Sequence, residues 1–306
     1  MKNTTISEIL QCIYCENNNL KFTKEGDNLI CTHCNHEYAV SDNVPVILPE
    51  KENTVQTKSE IHEKTGTAFN YIDHYQKDAF TSDYFAERDS GTEHSERRVR
   101  EYIAAQISGG KGLMLDVGCG KAWVAELFCP LGFEVISMDI SLRNTAKALK
   151  KHPFENHYAV AADVFSLPFL KNTFDYIIAS EIIEHVQDPG TFVEKLFSAL
   201  KPGGKLIITT PYKEKIQYSL CIHCNNPTPL HAHLHSFDEK ILESLYTGND
   251  VKWCKSQTFG NKLLIHLRFH VILKYMNFKI WKVIDSLMNL IYKAPARILV
   301  KWEKRL

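Results

Sequence analysis

Residues 112–141, GLMLDVGCGKAWVAELFCPLGFEVISMDIS, constrain the fold more than any other stretch of the chain. An apolar strand, a glycine turn, a helix and a second strand ending at Asp139 follow in the order of a βαβ unit with a ligand-binding loop. A dinucleotide-binding loop needs a small residue at the sixth position of GxGxxG, where this chain has Trp123. The carboxylate of Asp116 beside the loop would repel a pyrophosphate and attract an ammonium group. The pattern therefore favours a ligand with an ammonium group over a nicotinamide or flavin dinucleotide.

Further motifs follow in order over residues 111 to about 260. YAVAADVFSLPF contains Asp163 and Val164, FDYIIASEIIEHV is a buried strand with Ser180 near its end, and ALKPGGKLIITTP is a turn and a fifth strand. Open α/β sheets bind ligands at the carboxyl ends of their strands. With LDVGCG, these motifs resemble those of class I S-adenosylmethionine-dependent methyltransferases. The resemblance implies a doubly wound, Rossmann-like α/β sheet.

The resemblance also implies roles for individual residues. Glycines in the first loop would let the backbone approach the cofactor, because any side chain there would collide with it. Asp139 would accept hydrogen bonds from both ribose hydroxyls, and Asp163 would bind the adenine amino group beside the Val164 backbone. The predicted binding residues for S-adenosylmethionine are Asp116, Gly118, Gly120, Asp139, Asp163, Val164 and Ser180.

Four cysteines near the N-terminus have the spacing of a structural zinc site. Cys12-x-x-Cys15 and Cys31-x-x-Cys34 are separated by fifteen residues, so that two tight turns can present four thiolates to one ion. The intervening residues indicate a hairpin that turns at Gly26. Residues 1–50 resemble the zinc ribbons that accompany methyltransferases. With four protein ligands, such a zinc ion holds shape and does not activate water.

Residues 221–238, CIHCNNPTPLHAHLHSFD, contain two cysteines and four histidines after the fifth strand. Their end resembles the His-x-x-x-Phe segment of many small-molecule methyltransferases, which implies that His233 faces the acceptor as a base or orienting group. His185, just past the fourth strand, is a second candidate base or a structural partner of the cofactor pocket. The same stretch allows a second zinc ion, held by Cys221, Cys224 and either His231 or His233.

The remaining segments are predicted to be a lid and a tail. Residues 51–110 combine a polar linker with lid helices, the last from about Glu93 to Ile107, and Tyr75 and Tyr84 would stack on a nucleoside or pack in the core. Residues 262–306 contain ten Lys or Arg against two Asp or Glu, and apolar residues recur there at helical spacing. This pattern predicts a basic amphipathic helical tail at 261–306, which would cover the main domain, bind a partner or lie on an anionic membrane.

Together these features predict a methyltransferase with four parts: a zinc ribbon (1–50), a linker with lid helices (51–110), the methyltransferase domain (111–260) and the tail (261–306). No apolar run resembles a signal peptide or a spanning helix, so we expect a cytoplasmic protein. Peripheral contact of the tail with the inner face of the membrane is one of the alternatives for that segment. The predicted acceptor is the oxygen or nitrogen of a small or lipid-linked molecule.

Two other functions fit parts of the pattern. One is methylation of RNA bases, because some ribosomal-RNA guanine methyltransferases also carry a zinc ribbon and a basic tail could follow phosphates. The acidic body, and the lack of an aromatic and basic cluster outside the tail, make nucleic acid the less favoured partner. The other is a catalytically silent scaffold that uses the ribbon and the tail as interaction surfaces.

Overall fold

The structure is a computed structural model that describes residues 6–50, 70–222 and 225–306. Its strands are β1 Leu20–Phe22, β2 Asn28–Cys31, β3 Glu37–Ser41, β4 Val44–Ile47, β5 Leu113–Val117, β6 Glu134–Asp139, β7 His157–Ala162, β8 Phe174–Ser180, β9 Leu200–Pro211, β10 Tyr218–Leu220, β11 Pro227–Pro229, β12 Val251–Asn261 and β13 Pro295–Lys304. Its helices are α1 Tyr71–Thr81, α2 Ser90–Ala104, α3 Trp123–Phe128, α4 Leu142–Lys151, α5 Pro189–Ser198, α6 Glu239–Ser244, α7 Lys262–His266, α8 His270–Leu273 and α9 Phe278–Ile291.

One large sheet organises the molecule, with strand order β1-β2-β3-β4-β7-β6-β5-β8-β9-β13-β12. The strands from β4 to β9 in this order pair in parallel. Leu115 and Val117 of β5 pack in one core with α5, whereas Met114 packs in a second core with α2 and α3. The connection order reverses at β5, which makes its carboxyl end a binding position in doubly wound folds. The predicted Rossmann-like α/β class is confirmed.

The N-terminal cysteine segment forms the short antiparallel strands β1 to β4, with Gly26 at a positive φ of 76° in the turn between β1 and β2. Val46 and Ile47 of β4 then pair in parallel with Ala161 and Ala162 of β7. The ribbon therefore continues the central sheet.

The C-terminal region differs from the prediction in its last part. Helix α9 confirms a helical segment, but the helical prediction is wrong for Pro295–Lys304, which form β13 between β9 and β12 in antiparallel pairing. The physical reason is that Ile298, Leu299, Val300 and Trp302 are all buried, and an interior strand buries both of its faces. In the described ranges, no helix has the length and apolar content needed to cross a membrane.

Among the described residues after the linker, two helices precede the βα core, as the sequence predicts, although the second begins earlier. The side chain of Asp89 accepts hydrogen bonds from the Gly91 and Thr92 amides, so α2 starts at Ser90 and not near Glu93. Helix α1 contacts α4, and the linker residues 51–69 lie outside the described residues.

Candidate active site and zinc site

A cavity of about 760 Å³ opens at the carboxyl ends of the parallel strands. Five of the seven predicted cofactor residues line it: Gly118, Gly120, Asp139, Asp163 and Val164. They come from β5, β6 and β7 or from the residues that directly follow these strands. Because parallel strands end at one edge, residues far apart in the sequence meet in one pocket.

The glycine loop has the geometry that the sequence predicts. Gly118 has a φ of 65°, and a Cβ atom there would lie 2.3 Å from Cδ1 of Ile182, so no other residue fits without displacing that side chain. Gly120 has a φ of 46°, and a Cβ atom there would meet nothing closer than 3.9 Å. The backbone at Gly120 therefore borders open space in which a ligand can approach.

Two carboxylates follow successive strands at the cavity wall. Asp139 accepts hydrogen bonds from the Ser141 amide (2.9 Å) and the Asn144 side chain (3.3 Å). Burial raises the pKa of Asp139 and also that of Asp163, because a low-dielectric environment disfavours a charged carboxylate. Polar ligand groups that donate hydrogen bonds would compensate both carboxylates.

The other two predicted cofactor residues, Asp116 and Ser180, do not line the cavity. Oδ2 of Asp116 is buried and has no hydrogen-bond partner in the described structure, and burial raises the pKa of this carboxyl well above its usual value. The Ser180 hydroxyl pairs with that of Thr209 at 3.1 Å, while the following residues, Glu181 and Ile182, reach the cavity.

Helix α1 and the turn after it cover the cavity with aromatic side chains. Tyr75 and Tyr84 line it, as the lid prediction expects. Tyr71 also lines the cavity, although the sequence does not single it out. The Tyr71 hydroxyl donates a hydrogen bond of 2.6 Å to Oδ2 of Asp163, and its ring lies 5.7 Å from that of Phe165. A lid tyrosine thus contacts the carboxylate to which the resemblance assigns the adenine.

The two candidate bases lie next to each other, but only His185 lines the cavity. Nδ1 of His233 donates a hydrogen bond of 2.5 Å to Oε2 of Glu214, and the His233 ring centre lies 4.8 Å from that of His185. Nδ1 of His185 donates to the Ala232 carbonyl at 3.3 Å. Burial and the neighbouring His233 lower the pKa of His185 to about 4. His185 is therefore neutral near pH 7, with its unprotonated Nε2 able to accept a proton.

Glu181 is a third functional group at the cavity and is held by the last strand. It has a φ of 57°, unusual for a residue with a side chain, and forms an ion pair of 2.6 Å with Nε of Arg297 from β13. The sequence does not single out Arg297, the partner of Glu181, or Glu214, the partner of His233. They lie 116 and 33 residues from Glu181 along the chain. No short sequence pattern around Arg297 signals this position, because β13 is an apolar run buried on both faces.

The four ribbon cysteines converge as predicted. Their sulfurs all lie within 4.8 Å of one another, with Cys12–Cys34 and Cys15–Cys31 each at 3.6 Å. Zn–S bonds of about 2.3 Å in a tetrahedron put sulfurs about 3.8 Å apart. The Tyr38 hydroxyl lies 3.0 Å from the Cys12 sulfur, where it would donate to a zinc-bound thiolate. The cluster fits one structural zinc ion.

The third CxxC shares a backbone feature with the ribbon turns. At Cys12, Cys31 and Cys221, the cysteine amide donates to the carbonyl five residues ahead, and its carbonyl accepts from the amide four residues ahead, at 2.8–3.0 Å. Cys224, however, lies outside the described residues, and His233 pairs with Glu214. The second zinc site therefore stays a prediction.

The fold and the cavity define the class of this protein. Residues 92–252, just over half of the chain, match the methyltransferase domain family, and the chain belongs to that family. S-adenosylmethionine is the cofactor, and the glycine loop and the carboxylates at the cavity fit it.

Similar proteins agree with this class. The chain is 33% identical over 111 residues to the ubiquinone biosynthesis O-methyltransferase of Bradyrhizobium sp. (strain ORS 278), covering 36% of this chain and 44% of that protein. It is 31% identical over 134 residues to the protein of the same description from Xanthomonas axonopodis pv. citri (strain 306), covering 42% and 56%. The chain spans about half the length of these curated relatives.

Solved structures show the same fold at low sequence identity. A complex of the Haloferax volcanii Trm112 methyltransferase activator with a chain described as a methyltransferase matches with a TM-score of 0.50 and 15% identity, covering 71% of this chain and 93% of that one. At that identity, the match concerns the fold alone.

Proposed function

We propose that this protein transfers the methyl group of S-adenosylmethionine to a hydroxyl oxygen of a small, lipid-soluble acceptor. The observation that carries the proposal is a neutral histidine, His185, on the wall of the cavity that holds the cofactor residues. A hydroxyl acceptor must lose its proton as the new bond forms, and a neutral imidazole can take it.

The cofactor site is proposed to use the residues that line the cavity. Gly118 and Gly120 would admit the cofactor to the backbone, Asp139 would accept from the ribose hydroxyls, and Asp163 with Val164 would bind the adenine. Asp116 and Ser180 would act from behind the wall, Asp116 through its negative charge. When bound, the cofactor supplies an activated methyl group for in-line displacement. The protein's tasks are therefore alignment and exclusion of water.

In this proposal His185 accepts the acceptor proton at Nε2. The hydrogen bond from its Nδ1 to the Ala232 carbonyl fixes the required tautomer. His233, held by Glu214, is a positioning residue that contacts the His185 ring. In this proposal His185 faces the acceptor, in place of His233 as the sequence predicts, and the two histidines act together.

The wall of the cavity supports a small acceptor over RNA. Among the described residues no lysine or arginine lines it, whereas Asp78, Asp139, Asp163 and Glu181 do. Binding of a nucleic acid depends on cationic contacts to phosphates, which such a wall would oppose. The relatives' description as ubiquinone biosynthesis O-methyltransferases supports an aromatic hydroxyl on a lipid-soluble molecule. A cytoplasmic location stays a prediction.

Transfer of a labelled methyl group tests this proposal. The zinc-loaded protein is incubated with labelled S-adenosylmethionine and either a prenylated catechol or total RNA, and the organic and RNA fractions are counted. We expect label in the organic fraction. His185→Gln should lower kcat by about 10²- to 10⁴-fold and leave cofactor affinity unchanged. Label in RNA, or a fully active His185→Gln variant, would contradict the proposal, and absence of cofactor binding would favour the silent scaffold.

A further inference from the structure

Helix α9 has its apolar face turned outward. Ile280, Val283, Leu287, Leu290 and Ile291 share one side of the helix at helical spacing, and they are between 51% and 82% exposed. The side that faces the protein contains Trp281 and Asp285, which are 3% and 1% exposed. Ile284 and Met288 also pack against the core beside Trp281. The helix therefore covers the core with one apolar side and turns a second apolar side outward.

Polar contacts hold α9 in this orientation. The carboxylate of Asp285 accepts hydrogen bonds from the amides of Gly260 (3.0 Å) and Asn261 (2.7 Å) at the end of β12. Asn261 also donates to the side chain of Asn289 at 3.0 Å. Rotation of the helix to bury its apolar face would break these buried bonds, at a cost of about 1–3 kcal/mol for each unsatisfied group.

The helices α7 and α8 extend the exposed apolar area. One residue from each helix, Leu264, Leu273 and Trp281, packs in the same core cluster beside β12 and β13, so the opposite sides of α7, α8 and α9 face outward together. Of the 22 exposed large hydrophobic residues in the described chain, twelve lie between residues 265 and 292. We call residues 262–293 the apolar–basic surface.

The charge of this surface has one sign. Its basic residues are Lys262, Arg268, Lys274, Lys279, Lys282 and Lys293, and its single acidic residue is the buried Asp285. Two copies of the surface placed face to face would oppose these charges with no acidic partners, which disfavours a symmetric dimer. Exposed apolar side chains among lysines match an anionic bilayer, where acyl chains and phosphates lie within a few ångströms of each other.

We propose that the apolar–basic surface binds the face of an anionic lipid bilayer, with α9 lying in the membrane plane. The helix inserts its apolar side chains at the boundary between headgroups and acyl chains, and the lysines contact lipid phosphates. This inference uses no residue of the cavity and does not depend on methyl transfer, so either can fail alone.

Vesicle flotation of the full zinc-loaded chain tests the proposal. We expect binding to vesicles of phosphatidylglycerol and phosphatidylcholine, weakening as salt rises, and much weaker binding to phosphatidylcholine alone. The variant Leu287→Glu with Leu290→Glu should lose at least tenfold in partitioning. The variant Lys279→Gln with Lys293→Gln should lose about fivefold per lysine and show a shallower salt dependence.

Matched variants elsewhere on the surface separate this site from general stickiness. Leu127 and Leu131 are also exposed, as are Lys24 and Lys240, and the corresponding Glu and Gln double variants should bind as the parent does. Melting temperature and cofactor affinity serve as folding controls for all four. Absence of binding to the anionic vesicles at low salt would overturn the proposal. So would a dimer in solution that the Leu287→Glu and Leu290→Glu variant dissolves, which would assign the surface to a second copy.

Discussion

At the scale of single residues, the environments of Asp116 and His185 shift the pKa values of these side chains, and the sequence does not show these shifts. Asp116 was predicted from its motif, but its isolation from hydrogen-bond partners and its raised pKa depend on the packing around β5. The low pKa of His185 depends on burial and on His233, 48 residues away. A sequence gives the residue types at a site but not the solvent around them.

Asp116→Asn is expected to stabilise the cofactor-free protein while weakening cofactor binding. The folded pKa of Asp116 is raised, so its ionisation costs stability at every pH above its unfolded pKa, and a neutral side chain removes that cost. We expect Tm to rise by a few degrees at pH 7–8, corresponding to about 1 kcal/mol, with the difference shrinking on acidification. Thermal melts with and without cofactor check this, with exposed Asp42→Asn as the unchanged control. A lower Tm for Asp116→Asn without cofactor would show that the carboxylate is compensated.

His233→Ala is expected to shift the pH dependence of activity. Burial first, and the charge of His233 second, keep the pKa of His185 near 4, so the acid limb of kcat/KM should lie well below pH 6.5. Without His233 the pKa of His185 should rise, and the limb should move to higher pH. A pH–rate profile of kcat/KM measures the position of the acid limb. The control His231→Ala, also at the cavity, should leave the acid limb at its original pH. An unmoved limb in His233→Ala would remove His233 from the mechanism.

At the scale of elements, the local motifs were predictable and the distant partners were not. The glycine loop, the CxxC turns and the strand ends depend on neighbours within a few residues, so their geometry follows from short patterns. Tyr71 of α1 lines the cavity, and Arg297 of β13 forms an ion pair with Glu181 on the cavity wall, so segments far apart in the chain act at one site. The apolar run of β13 falls within the predicted helical tail, and periodicity alone does not distinguish a short buried strand from a buried helix.

Tyr71→Phe tests the role of the lid helix. In the structure the Tyr71 hydroxyl donates to the Asp163 carboxylate, the group proposed to bind the adenine. Without this competing hydrogen bond, the cofactor should bind up to about tenfold more tightly, since one hydrogen bond contributes about 0.5–1.5 kcal/mol. Calorimetry measures the affinity, with Tyr84→Phe as the control, because that hydroxyl donates to Asp78 instead. Weaker binding in Tyr71→Phe would mean that the hydroxyl itself contacts the cofactor.

At the scale of the whole molecule, the sheet runs through both predicted domain boundaries. Strand β4 joins the ribbon to β7, and β13 lies between β9 and β12. Cysteine spacing, ordered motifs and charge indicate the ribbon, the catalytic domain and the tail, but these local features do not record strand pairing between distant segments. The catalytic domain and the C-terminal strand are therefore expected to unfold together.

Deletion of residues 295–306 should destroy the fold. If these residues were part of a peripheral helical tail, as the sequence predicts, their loss would be tolerated. Removing β13 would leave β9 and β12 without their shared partner and would expose the apolar positions now covered by Ile298, Val300 and Trp302. We expect insoluble protein or loss of the cooperative melt. The control is deletion of Arg305 and Leu306, which follow the strand and should be tolerated. A soluble, cofactor-binding protein ending at residue 294 would contradict the observed pairing.

The pairing of β4 with β7 gives the zinc ion a consequence beyond local shape. Without β1 to β4, β7 would become an edge strand with unpaired backbone amides and carbonyls. Exposed edge strands of this kind pair between molecules and cause aggregation. Chelation should therefore cause light scattering that grows with protein concentration while α4 and α5 are still folded. A chelated protein that stays clear and monomeric would show that the edge is protected without the metal. In this molecule, the four cysteine sulfurs would prevent self-association by keeping β4 paired with β7, away from the proposed methyl-transfer site.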